Sequence, residues 1–371
     1  SETFEVKKKE ETYRAFICGL GFYDAYLNGA KVTDGYFLPL VSDYAERKNN
    51  DNPLIFKSEG YRVCANVYDV GNLIKDGSNR IEIVVGDGYY RSLDKTEEPF
   101  VSYGKKKAIF EIICGDGENA EIIAASDESA RVKKRNAKSS LFNGDFVDFT
   151  DGEEGKEEKC VLSKGKTGRF VFPALGADKI IREITPLKET RKDGRIIYDF
   201  GYNHSGAPRF KVKGEKGKKL VLNFAECLSE NGELNPNTSL WSDYNEKLKT
   251  RHVIVQKSEY ILSGGTDEIK PMFSWRCYRY LSAESDGNFE ISGMKSLFIS
   301  GDICENMKFA CSEEIFEEIA EKSVLTLKDN FRSGLLTDCP HREKRAYTGD
   351  GQIVCETVLY LFDGINFYSK W

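Results

Sequence analysis

The sequence predicts a multidomain, mainly β protein in which two antiparallel β-sandwich domains precede a helical region. Three observations carry this reading. A chain of 371 residues exceeds the size at which single hydrophobic cores stop growing. From Tyr13 to about Phe172, short β-rich runs alternate with turn signals at the spacing of an all-β domain. After Asn306 the apolar period changes from two to that of a helix.

In the first domain, taken as residues 1–175, the strand candidates are RAFICGL, FYDAYLNGAKV, GYRVCANVYDV, NRIEIVVGDGYY, KAIFEIICG and ENAEIIAAS. Asn28-Gly29 sits between two apolar runs, and because both residues tolerate positive φ this pair predicts a tight hairpin. The run Gly86 to Arg91 closes a strand with two glycines and two tyrosines; it reads first as a loop packing on its own sandwich, and second as a platform for a sugar. Residues 151–168 are charged and Gly-rich, a solvated stretch that punctuates or ends the domain.

The second sandwich is expected over residues 176–305, with GRIIYDFGYNHSG, PRFKVKGEKGKKLVLNFAECL, RHVIVQKSEYILSGG and FSWRCYRYLSAES as its clearest strands. Residues 229–249 are polar, contain Pro236 and lack alternation, so a long loop is expected there. His204 and His252 are lone histidines in β-rich sequence and read as structural hydrogen-bonding groups. The helical region is taken as 306–371. Ser312 is a candidate N-cap, Glu313 and Glu314 suit the positive end of the helix dipole, and Ile315, Phe316, Ile319, Ala320, Val324 and Leu327 recur at helical spacing. A second helix is expected over 351–361 and a third from near Ile365. The pattern still reads as helix where the chain reaches Trp371, so a helical domain interrupted near its beginning is expected.

Composition narrows the function classes. The net charge is −6 and the basic residues are scattered among acidic ones, which gives no footprint for nucleic acid. No apolar run has the length of a spanning helix and the N-terminal stretch has no apolar core, so neither a membrane partner nor a retained signal peptide is expected. The ten cysteines show no CxxC spacing and no accompanying His cluster. They read as free thiols, favouring a reducing cytoplasm, and no metal or other cofactor is implied.

The segment TDCPHREKRAYTGDGQ, residues 337–352, is dense with polar function. Pro340 disfavours helix at Cys339, and Gly349 and Gly351 break regularity, so the segment is expected as a loop between helices. Hydrolysis of a glycosidic bond needs a carboxylic acid to protonate the leaving oxygen and, in most families, a second carboxylate. Asp338, Glu343 and Asp350 are the clustered carboxylates here. Contact with Arg342 and Lys344 would lower the pKa of Glu343, whereas burial against Tyr347 would raise it, and composition alone also fits a surface ion-pair loop. Cys339 has no base paired with it and does not read as a nucleophile.

TDCPHREK followed by GD resembles the start of the catalytic domain of bacterial α-L-rhamnosidases, glycoside hydrolase family 78, whose common form is close to TDCPxRxExxGWxGD. Tyr347 replaces the usual Trp, and many members place the acidic residue one position later, where this chain has Lys344. GFYDAYLNGAKV with YDVGNLIKDGSNRIEIVVGDGYYRS, then YDFGYNHSGAPRFKVKG with NFAECL, then FSWRCYRYLS, resemble further family blocks in the same order. The resemblance implies that the helical region is the start of an (α/α)₆ barrel, and that the enzyme is an inverting hydrolase. It implies Glu343 as general acid, Asp338 and Asp350 as ligands of the terminal rhamnose, Arg342 as a further polar contact and Tyr347 as an aromatic wall. The general base would lie beyond Trp371, leaving these 371 residues inactive alone. The implied partner is a rhamnose-containing oligosaccharide or glycoside, and a homodimer is compatible with it. Two other readings stand beside this one: a non-catalytic carbohydrate-binding or scaffold protein of the same architecture, and a hydrolase of the same fold for another sugar.

Overall fold

A computed structural model describes residues 1–9, 11–47, 60–91, 103–150, 155–163, 168–245 and 249–371. The chain divides into two compact units. The described residues of the first lie within 1–91, 103–135 and 155–174; those of the second lie within 136–150 and 175–371.

The first unit is built on two four-stranded antiparallel sheets. One orders Glu2–Val6, Gly77–Val85, Tyr23–Leu27 and Ala30–Lys31; the other orders Glu121–Ala125, Lys107–Cys114, Tyr13–Leu20 and Asn66–Asp69. Period-two alternation explains their inner faces: Tyr13, Ala15 and Ile17 are buried on one strand, Tyr23, Ala25 and Leu27 on another. The hairpin expected at Asn28-Gly29 forms, with φ of 54° and 81°, the positive pair that a two-residue turn between Leu27 and Ala30 needs. Tyr90 is buried in a ring cluster with Tyr44 and Tyr103, so the Gly86 to Arg91 segment packs on its own unit. Residues 151–154 and 164–167 of the charged stretch lie outside the described residues, while Glu158–Lys159 pairs with Arg131–Val132.

The second unit contains a ten-stranded sheet folded around the long strand Arg195–Gly214. The first half of that strand pairs with Lys188–Lys192 and Arg276–Ser285, and the second half with Thr266–Ile269 and Phe289–Ser300. One core joins side chains from both halves, including Tyr198, Phe210, Val212, Leu222, Tyr278 and Phe298. Gly206 sits at the change of partners, opposite both Arg276 and Phe298. A Cβ there would lie 1.8 Å from the Leu297 carbonyl oxygen, a backbone atom that cannot move aside alone. Gly206→Ala is therefore expected to destabilise this unit by about 1–3 kcal/mol or more, read as a lowered urea midpoint.

Three differences from the sequence reading have physical causes. Residues 136–153, assigned above to the first sandwich, belong to the second unit because Gly144–Asp148 pairs in parallel with Lys257–Ile261. The polar stretch 229–249 is a loop only in its first half, since Trp241–Asn245 forms a hairpin with Thr250–Ile254. His252 lies on that hairpin, where its side chain is outside the described set.

The third difference concerns the helices α1 (Glu314–Asn330), α2 (Thr348–Leu361) and α3 (Ile365–Lys370). The N-cap of α1 is Glu313, not Ser312. Helix α2 begins at Thr348, three residues before the expected start, so Gly349, Asp350 and Gly351 are helical. Gly349 falls among the first N–H groups of a helix, which have no intrahelical partner; Gly351, whose N–H donates to Tyr347 O at 3.2 Å, lies against Trp371, whose ring a Cβ would meet at 2.3 Å. The helices share a core of Leu327, Phe331, Leu336, Val358, Leu361, Phe362 and Phe367. Ile315, Phe316, Ile319 and Ile353 of α1 and α2 remain exposed. Among the described residues no helix is long and apolar enough to cross a membrane.

Candidate active site

The polar segment joins α1 to α2. After α1, Phe331–Arg332 and Leu335–Leu336 form a small hairpin whose turn residues Ser333 and Gly334 have φ of 47° and 70°. The loop that follows closes on itself. Asp338 N donates to Arg345 O at 2.6 Å, Arg345 N donates to Asp338 Oδ1 at 2.9 Å, and Lys344 N donates to Cys339 O at 3.2 Å. The Cys339 thiol donates to Asp338 Oδ2 at 3.0 Å, and burial pushes that thiol up. Asp338 is thus engaged by its own loop through both oxygens.

Glu343 is half-buried, and its Oε2 accepts a hydrogen bond from the Tyr347 hydroxyl at 2.7 Å. That bond, with burial second, pushes the Tyr347 phenol up to about 12. Tyr347 is the residue preceding α2 and remains 42% exposed. Arg342 is exposed, and Asp350 is exposed in the first turn of α2, where the helix dipole favours a carboxylate. Of the five candidates, Glu343 and Tyr347 touch directly; among the described residues no hydrogen bond or ion pair joins Arg342 or Asp350 to Glu343.

Lys344 does not flank Glu343 as its place in the sequence suggests. Its backbone has a φ of 55° and its side chain is buried, with Nζ donating to Leu141 O at 2.6 Å and Trp275 O at 2.7 Å. Burial, then repulsion from Arg276 and Arg332, holds this ammonium well below the usual lysine range.

Sequence reasoning did not single out Glu226, the acidic residue of NFAECL. It accepts a hydrogen bond from Asn203 Nδ2 at 2.9 Å, burial pushes its carboxyl up, and His341 Nδ1 approaches it at 3.7 Å, too far for a hydrogen bond. Burial, with Arg342 and Lys344 adding repulsion, pushes His341 down to about 4, so it is neutral at pH 7. A lone acid ending an apolar strand was the available signal.

Beneath the loop lies a buried polar seam. Arg332, with no exposed surface, donates to Phe331 O at 2.7 Å and Ser205 O at 3.1 Å. Asp329 accepts from Ser205 N at 2.6 Å, and Asp178 accepts from Ser333 N at 2.8 Å. His204 is structural, as expected, with Nε2 2.5 Å from Ser296 Oγ and Nδ1 3.1 Å from Tyr202 O.

These groups give opposing pH dependences. Burial pushes Asp178 and Asp329 up from 3.8 to about 7, so the native state holds protons that the unfolded chain releases. Their contribution to stability is present at low pH and lost as pH rises to about 7. Burial pushes His204 and His341 down from 6.5 to about 4, so their contribution is present above 6.5 and lost as pH falls to about 4. Asp329→Asn removes one of the falling contributions. Its urea midpoint is expected to climb more steeply between pH 4 and 6.5 than that of the parent chain, and equal slopes would contradict the burial of that carboxyl.

The chain is thus β-rich up to Ser300, and its first two helices are joined by a carboxylate-bearing loop. Comparison with known families assigns each part. Residues 8–52 and 55–162 match the α-L-rhamnosidase N-terminal domain, 189–299 the bacterial α-L-rhamnosidase concanavalin-like domain, and 305–371 the bacterial α-L-rhamnosidase 6 hairpin glycosidase domain. The chain belongs to the bacterial α-L-rhamnosidase family.

An α-L-rhamnosidase of Formosa agariphila is 25% identical over 99% of this chain, and one of Streptomyces avermitilis is 24% identical over 98%. The chain spans 38% and 34% of their respective lengths. Among solved structures, the α-L-rhamnosidase of Dictyoglumus thermophilum superposes with a TM-score of 0.81 at 26% identity, covering 100% of this chain and 40% of that one. The Streptomyces avermitilis enzyme, solved in complex with L-rhamnose, gives 0.81 at 21% identity over 100% of this chain and 35% of that one, a likeness of fold.

Proposed function

We propose that the protein to which these residues belong is an α-L-rhamnosidase that releases terminal α-L-rhamnose with inversion, and that Glu343 is its general acid. The observation that carries the assignment is the division of labour within the loop. Asp338 is engaged through both oxygens by Arg345 and Cys339, whereas Glu343 is half-buried and holds one hydrogen bond, from a phenol. A carboxyl in that setting can give a proton to a leaving oxygen and be steadied by Tyr347 as charge develops. Asp350 and Arg342, both exposed, are assigned to sugar hydroxyls, and Tyr347 also offers its ring as a wall.

Inversion needs a second carboxylate, roughly 6.5–9.5 Å away, to activate water on the opposite face of the sugar. We place it in sequence beyond Trp371, within helices that would also cover the exposed Ile315, Phe316, Ile319 and Ile353. The relatives' names, and the L-rhamnose in one of their structures, support the sugar; the ten free thiols support a reducing compartment.

The test is proton NMR of the sugar first released from an α-L-rhamnoside by a protein of the relatives' full length. Initial appearance of the β anomer is expected. Initial α anomer would overturn inversion, and rhamnoside binding with no release would favour the non-catalytic reading.

A further inference from the structure

We infer that Lys344 is a positioning residue for Glu343, acting by clamping the loop to the β-sheet part of its unit and not by touching substrate. The inference rests on Glu343 being the acid, but the clamp itself is testable without turnover.

The loop's own hydrogen bonds, between Asp338 and Arg345 and between Lys344 and Cys339, hold its shape. They do not fix where the loop stands. Lys344 does so through a different set of contacts. Its side chain is 1% exposed, its ammonium donates to the Leu141 and Trp275 carbonyls, and it lies 4.9 Å from the centre of the Trp275 ring, within cation–π range. Both carbonyls flank sheet strands: Leu141 follows Ala137–Ser140, and Trp275 precedes Arg276–Ser285. Arg276 donates to the same two carbonyls, at 3.2 Å and 2.9 Å, so the acceptors are held from a second side.

An ammonium buried beside guanidinium groups is a poor choice for stability alone, because a well-packed apolar residue avoids both the desolvation and the repulsion. The backbone at Lys344 is also left-handed, a conformation that L residues rarely adopt. Both features follow if the residue must turn inward while its neighbour turns out. Glu343, one peptide link away, directs its carboxylate to Tyr347. With Lys344 anchored, the backbone carrying Glu343 is placed by the sheet and not by the loop's own stiffness.

Lys344→Met keeps the unbranched apolar stem, ending one atom short of Nζ, but removes the donors. In the 371-residue chain, this change is expected to speed peptide-resolved alkylation of Cys339 by about tenfold and to raise amide exchange across 338–347, as a local opening would. Exchange in Arg195–Gly214 and Arg276–Ser285 is expected to stay as it was. Unchanged alkylation and exchange would overturn the clamp. Should the variant not fold, the unsubstituted chain decides: the Lys344 and Arg345 amides are expected to exchange as slowly as those strands, and exchange at the rate of exposed turns would refute it.

In a protein of the relatives' full length, Lys344→Met is expected to lower kcat by about ten- to a hundredfold while KM stays within about twofold, because misplacing the acid spares substrate binding. The alkaline limb of the pH profile, set by loss of the acid's proton, should survive, since the acid itself remains. Loosened exchange with unchanged kcat would overturn positioning. If Glu343→Gln leaves turnover intact, the acid assignment fails, while the alkylation result still stands or falls alone.

Discussion

Glu343→Gln in a protein of the relatives' full length is expected to reduce kcat on rhamnosides with poor leaving groups by about 10²–10⁴-fold, the range that a positioned proton donor contributes. The amide keeps the shape of the carboxylate and can still accept from Tyr347, so the loop should persist and KM should move little. The loss should shrink on activated aryl rhamnosides, whose leaving oxygen needs less protonation. That dependence on leaving group separates loss of an acid from general damage to the loop, which would slow all substrates alike. A variant with parental turnover on both kinds of substrate would remove Glu343 from the mechanism. Tyr347→Phe tests its support: without the phenol, a smaller loss is expected.

The largest effect on stability is expected at Arg332. Its guanidinium is fully buried, donates to Phe331 O and Ser205 O, and lies 5.7 Å from the Trp275 ring. Arg332→Met removes the positive charge that attracts Asp178 and Asp329, and leaves the Ser205 carbonyl without this donor. Breaking a buried charge arrangement by deleting one partner costs about 3–5 kcal/mol. Denaturant unfolding of the parent chain and the variant checks this, and a difference below about 1 kcal/mol would mean the seam is not electrostatically coupled. Well above pH 7, where Asp329 is ionised, the double change with Asp329→Asn should recover part of the loss, because the uncompensated carboxylate then disappears.

Much of this was legible in the residues. Asn28-Gly29 specified its hairpin because the turn chemistry is local, and alternation gave the strands of both units because each strand reports its own buried face. The polar loop was visible in TDCPHREK, and the family followed from it. What was hidden depends on distant partners. The sequence Glu343-Lys344-Arg345 reads as an exposed charge run, and no local signal tells that the middle residue turns into a left-handed backbone and lies under Trp275. Gly349 and Gly351 read as helix breakers because their low helix propensity is local, whereas the reason Gly351 sits in α2, the ring of Trp371 against it, is not.

The parallel pairing of Gly144–Asp148 with Lys257–Ile261 has a consequence for biosynthesis. Asp145 N donates to Ser258 Oγ across 113 residues of chain. As the polypeptide leaves the ribosome, the strand at 144–148 must wait for its neighbour while residues 154–174 return to complete the first unit. Domains usually fold in order of synthesis, but here the second unit's sheet is opened before the first is finished. A fragment cut at residue 175 would therefore carry an orphaned edge of someone else's sheet, with unpaired backbone amides exposed to aggregation. A fragment that begins at Leu175 would in turn lack Ala137–Ser140 and Gly144–Asp148, two strands of its own sheet.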